Sequence, residues 1–307
     1  MNYFGEIEGN FLYRIKCRLR SFKISSMRRM AEFLLVPIGC QERLSFRLKP
    51  GSKGGILLPD FFIAGAQKSG TTSLAVWLSQ LPEFKIAKMG VPYKDRLRLE
   101  IQFFNNPIVR MKGLEWYSSR FASGLINGEK TPEYLFRKSA LREMHRCCPE
   151  ARIVIMLRNP ADRAFSAYEQ YIRIYPRSRN WDWVLPGRSF EDNLQAEEYA
   201  SFPIGFLARG RYAEQLEYLF RVFPRDQVKI IIFERFVADP AAYLGDVVYF
   251  LGGSSVNNRV DFTPANVGGY SSRMADDTRR ALRAYYRPYN EQLFGILGYR
   301  VEEWEGR

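Results

Sequence analysis

Asp60-Phe61-Phe62-Ile63-Ala64-Gly65 runs into Ala66-Gln67-Lys68-Ser69-Gly70-Thr71-Thr72 and then into Ser73-Leu74-Ala75-Val76-Trp77-Leu78. The first block is a short apolar run and reads as a buried strand. In the last, Leu74, Trp77 and Leu78 recur at helical spacing, which predicts a helix over Thr72–Gln80. Between them lie small residues that let the backbone approach a ligand closely. The free N–H groups of a helix start, at the positive end of its dipole, bind an anion. Ser69, Thr71 and Thr72 add hydroxyl donors, and Ser73 follows them.

The loop departs from the Walker A pattern in one informative way. Gly65 and Gly70 keep the glycine spacing and Thr72 sits at the Ser/Thr position, but Thr71 occupies the lysine position. The lysine lies two residues before the second glycine, at Lys68. A lysine moved toward the front of the loop suits a 5′-phosphate carrying a sulfuryl group better than a β,γ-diphosphate. That displacement separates sulfuryl from phosphoryl transfer.

Working outward, Arg152–Leu157 and Val228–Phe233 read as further strands. Pro160–Tyr175, Ala213–Phe223 and Pro240–Leu251 read as helices. Strands alternating with helices predict an α/β fold, a P-loop-like three-layer sandwich with a central parallel β-sheet flanked by helices. Ligands of such sheets bind beyond the carboxyl ends of the strands, which directs attention to loops 65–72 and 158–166. Arg158 ends an apolar strand, where its guanidinium can pair bidentately with phosphate. Ser166 lies two helical turns along from Arg158, within reach of the same phosphate.

Of the 307 residues, 46% are hydrophobic, enough for a sizeable core and against wholesale disorder. Lys and Arg total 46 against 33 acidic residues, a formal charge of +13 that attracts polyanions or leaves a solvated basic surface. The chain divides by composition into a basic extension and linker, residues 1–58, and a regular domain, residues 59–307. Gly51-Ser52-Lys53-Gly54-Gly55 is the linker signal. In the extension, the basic stretch Arg14–Arg29 precedes an apolar run, Phe33–Cys40, far shorter than the roughly 18–20 residues that span a bilayer. It loosely mimics a signal peptide but has no clear cleavage site, leaving a basic amphipathic surface helix or a solvated extension. The four cysteines, Cys17, Cys40, Cys147 and Cys148, include no C-x-x-C pair, and His145 is the only histidine. Neither a structural zinc nor a disulfide framework is expected, and no metal site is assigned. A reducing compartment follows, hence the cytoplasm, with the extension offering peripheral contact to an anionic membrane surface.

Four motifs, in this order along the chain, carry a resemblance: Phe61–Leu74; Leu99-Glu100-Ile101-Gln102-Phe103-Phe104; Gly128-Glu129-Lys130-Thr131-Pro132-Glu133-Tyr134; and Arg158-Asn159-Pro160 through Arg163 to Ser166. Over residues 59–300 the chain resembles the sulfotransferases that use 3′-phosphoadenosine 5′-phosphosulfate (PAPS), in particular the heparan sulfate branch and its bacterial relatives. The resemblance implies PAPS as co-substrate, with the 5′-phosphosulfate on the Lys68–Ser73 loop and the 3′-phosphate on Arg158 and Ser166. It implies transfer to a hydroxyl or an amine of a carbohydrate acceptor and no nucleic-acid partner.

Transfer to a hydroxyl needs a group that takes its proton in line with the departing phosphate. With one histidine in the chain, a carboxylate is the natural candidate, and Glu100, between Leu99 and Ile101, stands out. The resemblance implies that Glu100 is the base. Where the family often has histidine two residues later, this chain has Gln102. Lys130, read as part of a short polar insertion, is implied to stabilise the transferring group, and Lys68 to act on the bridging oxygen of the leaving phosphate. Gly210-Arg211-Tyr212 resembles a family segment whose tyrosine lies near the nucleotide, although core packing of Tyr212 is an equal alternative. The family's late basic loop corresponds to Asn266–Arg279, without Lys-Gly-Arg, and Arg273 is the candidate contact there. Trp181, Trp183, Tyr199 and Phe202 suit either stacking on sugar rings or the core of a small lid. Two rival readings are a P-loop kinase and a non-enzymatic protein that binds polyanions or membranes.

Overall fold

The quoted apolar run is the middle strand of a five-stranded parallel sheet in the computed structural model. The strands in chain order are β1 (Phe61–Gly65), β2 (Phe84–Ile86), β3 (Pro92–Tyr93), β4 (Arg96–Leu97), β5 (Ile126–Lys130), β6 (Arg152–Leu157) and β7 (Val228–Ile232). The sheet runs β2-β5-β1-β6-β7, and β3 and β4 pair separately as an antiparallel ribbon. The structure describes residues 55–89, 92–93, 96–97, 99–174, 189–199, 205–256, 259–265, 269 and 272–305. Residues from Ile56 on form one compact unit, which carries the sheet. The expectations for Arg14–Arg29, Phe33–Cys40, Cys17, Cys40, Trp181, Trp183, Phe202 and the start of the Asn266–Arg279 loop lie outside the described residues.

The helices that matter here are α1 (Thr71–Leu78), α2 (Pro107–Arg110), α3 (Gly113–Ser118), α4 (Lys138–Cys147), α5 (Pro160–Ile174), α6 (Phe190–Tyr199), α7 (Tyr212–Val222), α8 (Phe233–Ala238), α9 (Pro240–Phe250) and α10 (Asp276–Leu297). Alternate residues of each central strand serve opposite faces of the sheet. Phe61, Ile63, Val154 and Met156 share one core with Leu74 and Leu78 of α1 and Leu244 and Val247 of α9. On the other face Phe62 meets the rings of Phe104 and Tyr134 edge-on, at 5.8 and 6.3 Å. Both faces being covered explains why β1 is apolar throughout rather than alternating. The result is the three-layer, P-loop-like architecture.

One expectation is corrected. Glu129 and Lys130, read as part of a polar insertion, end strand β5, which pairs with β1 through Phe61–Gly128, Phe62–Glu129 and Ile63–Lys130. Ile-Asn-Gly-Glu-Lys lacks an apolar pattern for a physical reason. Gly128 lies under Phe61, where a Cβ would stand 2.2 Å from the ring. Glu129 is buried because hydroxyl groups satisfy it. Phe233 likewise opens helix α8 instead of ending the third predicted strand.

Candidate active site

The loop after β1 turns at Gly70, whose φ of +80° favours glycine and whose Cβ would lie 2.8 Å from the Phe233 ring. Lys68 also has positive φ, 72°. Two contacts hold this conformation. Arg158, at the end of β6, donates from Nη1 to the Lys68 carbonyl at 3.2 Å, and its guanidinium sits 4.9 Å from the Phe233 ring centre. Inside the loop, Ser69 is fully buried, and its Oγ has no hydrogen-bond partner among the described residues. Buried hydroxyls are normally paired, so an orphan in an anion-binding loop marks a donor awaiting its acceptor. Thr71 is buried and Thr72 half-buried at the first turn of α1. This donor set fits a phosphate.

The charge around the loop points the same way. Burial pushes the Lys68 ammonium down to about 8, and the positive charges of Arg173, Arg158 and Lys130 add to the effect. Among the groups acting on Lys68, Glu100 alone opposes it. Three further cations therefore act on Lys68 against the Glu100 carboxylate, an arrangement that favours a multiply charged anion. Arg173 was missed in the sequence. The available signal was its position seven residues after Ser166, on the same face of α5.

Glu100 and Lys130 meet as an ion pair, with Lys130 Nζ donating to Glu100 Oε1 at 2.7 Å. Lys130 is almost wholly enclosed at 5% side-chain exposure, whereas Glu100 is open at 37%. Glu100 is thus an accessible carboxylate held by a cation, and Ile101 beside it points into the core. Gln102 donates its side-chain amide to Glu100 Oε2 in a long contact of 3.4 Å. The two other glutamates of the neighbourhood are committed elsewhere. Glu129 is fully buried and accepts from Tyr117, Thr131 and Tyr134. Glu133 is bound by Arg209 at 2.6 Å and Arg137 at 2.9 Å.

The remaining predicted residues divide into two groups. Ser166 lies buried on α5, and its hydroxyl bonds to no other described residue. Tyr212 is buried and donates to the Arg158 carbonyl at 2.8 Å, while its ring lies 6.0 Å from Trp304. It is packed in the core, where it also fixes the backbone beneath Arg158. Ser73 is also occupied: its Oγ donates to the Ala265 carbonyl at 3.3 Å and accepts from the Ala265 N–H at 3.0 Å. It ties α1 to the segment that leads toward Arg273. Arg273 is exposed, next to Ser272, which donates to Glu169 of α5 at 2.7 Å. Among the described residues no group of three or more His, Cys, Asp or Glu could hold a metal ion, and no helix is long and apolar enough to cross a membrane.

The sulfotransferase domain matches residues 58–264, two thirds of the chain. The chain belongs to the sulfotransferase family. This sulfotransferase is 30% identical to a sulfotransferase from Alicyclobacillus acidocaldarius, with a TM-score of 0.63 over 82% of this chain and 100% of that one. It is 27% identical to heparan sulfate glucosamine 3-O-sulfotransferase 6 of Homo sapiens, over 78% of this chain and 72% of the relative. It is 31% identical to the bifunctional heparan sulfate N-deacetylase/N-sulfotransferase 1 of Caenorhabditis briggsae, over 78% of this chain and 30% of that protein. The sulfotransferase is therefore an enzyme, and the kinase and non-enzymatic readings are set aside.

Proposed function

We propose that this sulfotransferase moves the sulfuryl group of PAPS onto a hydroxyl of a carbohydrate, with Glu100 as general base. The observation that carries the reading is the convergence of Lys68, Lys130 and Arg158 around the phosphate loop, with Glu100 as the accessible carboxylate beside them. The relatives named for heparan sulfate support a glycan acceptor. PAPS supplies a sulfuryl group on a 5′-phosphate that leaves. In this reading Lys68, Ser69, Gly70, Thr71 and Thr72 hold the 5′ end, and Arg158 and Ser166 hold the 3′-phosphate. Glu100 accepts the acceptor's proton as the new sulfur–oxygen bond forms and the bond to the 5′-phosphate oxygen breaks. Lys68 offsets charge on the leaving phosphate. Lys130 turns from Glu100 toward the equatorial oxygens, which leaves the Glu100 oxygen Oε1 open to the proton. The same proposal has the enzyme act in the cytoplasm, with residues 1–58 resting on anionic membrane surfaces.

Two measurements test it. Thermal stabilisation by 3′-phosphoadenosine 5′-phosphate (PAP) should exceed that by ATP with Mg²⁺. Transfer of radiolabelled sulfate from PAPS should then be screened over polysaccharides, glycolipids, small alcohols and tyrosyl peptides. Incorporation confined to peptides or alcohols would overturn the carbohydrate reading, and stabilisation by ATP alone would overturn the donor.

A further inference from the structure

Glu129 lies next to Lys130 on β5 yet faces away from solvent entirely. Its Oε1 accepts from Thr131 Oγ1 at 2.8 Å and from Tyr134 Oη at 2.5 Å, and its Oε2 accepts from Tyr117 Oη. Burial pushes its carboxyl up, and the three hydroxyl donors pull it back. The two hydroxyls on Oε1 do not end there. Thr131 Oγ1 accepts the backbone N–H of Gln102 at 3.2 Å, and Tyr134 Oη accepts that of Phe104, also at 3.2 Å. These two amides flank Phe103 in the segment that carries Glu100.

The donor inventory fixes the sense of this chain. Each hydroxyl has one hydrogen. An ionised Glu129 only accepts, so Thr131 and Tyr134 must both turn their hydrogens toward it. Their lone pairs are then left for the two backbone amides. A protonated Glu129 would donate to one hydroxyl and leave that hydroxyl's own hydrogen without a place. Gln102 needs the help: its φ of 60° is the left-handed region, which a residue with a Cβ enters only at a cost. With its backbone pinned, Gln102 presents its amide to Glu100 Oε2, while Lys130, one residue after Glu129, presents Nζ to Oε1.

We propose that Glu129, through the Thr131 and Tyr134 hydroxyls, positions the Glu100 carboxylate for catalysis by docking the 100–104 segment onto β5. These three are positioning residues, since none touches the reacting atoms. The proposal rests on Glu100 being the base.

The test separates hydroxyl from shape. Thr131→Val keeps the shape and removes the hydroxyl, Thr131→Ser does the reverse, and Tyr134→Phe removes the second hydroxyl without opening a cavity. With heparan sulfate as acceptor, Thr131→Val and Tyr134→Phe should each lower single-turnover transfer about tenfold or more with PAP affinity unchanged, the scale of a mispositioned base. Thr131→Ser should stay within about twofold of the parent on the same scale. In a Glu100→Gln background, Thr131→Val should cost nothing more. Hydrogen exchange gives a readout independent of turnover: the Gln102 amide should lose protection in Thr131→Val, and the Phe104 amide in Tyr134→Phe, with the 66–72 loop unaffected. Equal damage from Ser and Val, full additivity with Glu100→Gln, or unchanged amide protection would overturn the proposal. A large loss in Glu100→Gln beside normal transfer in Thr131→Val would overturn it while leaving the base assignment standing. Normal transfer by Glu100→Gln alone would remove the base assignment and this proposal together.

Discussion

Lys130 Nζ and Glu100 Oε1 stand 2.7 Å apart although 30 residues separate them in sequence. The pair sets a competition at the heart of the site, because the cation that holds the proposed base also acts on Lys68 of the anion-binding loop. Glu100→Gln keeps shape and hydrogen bonding but removes basicity. Transfer should fall about 10²-fold or more, the usual scale for a lost general base. PAP should bind as before or more tightly, since a negative charge beside an anion site has been removed. In the proposed reaction the Lys130 charge acts on the transferring group, so Lys130→Ala should lower kcat by more than it weakens PAP binding. If Glu100→Gln kept most of its turnover with chemistry rate-limiting, the base would lie elsewhere. Glu129 and Glu133 would then be the next candidates, and each would first have to leave its present partners, hydroxyls for the one and arginines for the other.

Arg158 bears two loads that one experiment can separate. It braces the Lys68 carbonyl, and in the proposed complex it also binds the 3′-phosphate. Loss of the brace should weaken every donor alike, whereas loss of the phosphate contact should weaken only donors that carry the phosphate. Arg158→Ala is expected to reduce PAPS affinity about 10- to 100-fold more than affinity for adenosine 5′-phosphosulfate, the range of a charged hydrogen bond. Equal losses for the two nucleotides would remove the 3′-phosphate assignment.

The proposed chemistry assigns charge neutralisation to side chains, Lys68 on the leaving phosphate and Lys130 on the transferring group. Transfer should therefore survive an excess of EDTA. Activity lost on chelation and restored by Mg²⁺ would mean that the lysines do not suffice.

How much of this was legible depended on whether burial had an apolar explanation. The strands Phe61–Gly65 and Arg152–Leu157 were readable because both faces of each meet side chains of the core. Strand β5 was not, because its buried positions hold Gly128, kept small by the Phe61 ring, and Glu129, kept inside by three hydroxyls. Lys68, Arg158 and Glu100 could be picked from local patterns. Their convergence is a property of the crossover connections and has no local signal, and for Arg173 the sequence offers only its place seven residues after Ser166 on α5. Ser73 has a partner that no local pattern shows, because its hydroxyl bonds the backbone of Ala265, far along the chain.

Lys68 offers the sharpest pH test, since burial and three neighbouring cations bring it to about 8 from an ordinary 10.5. Its folded-state value lies below its unfolded one. Between those limits the unfolded chain binds more protons, so this group's contribution to stability rises with pH through that window and is least favourable below about 8. Anion binding has the opposite sign, because a phosphate favours the ammonium form. PAP affinity should consequently fall as pH rises through about 8, and binding above that pH should take up protons. Calorimetry at about pH 9, in two buffers of different ionisation enthalpy, would read that uptake directly, since an ordinary lysine is already protonated there. Lys68→Arg keeps the charge at every accessible pH. It should bind PAP with no proton uptake and lose the decline above pH 8. The same uptake in Lys68→Arg as in the parent would mean that another group titrates on binding, and Lys68 would no longer be the loop's contact to the 5′-phosphosulfate.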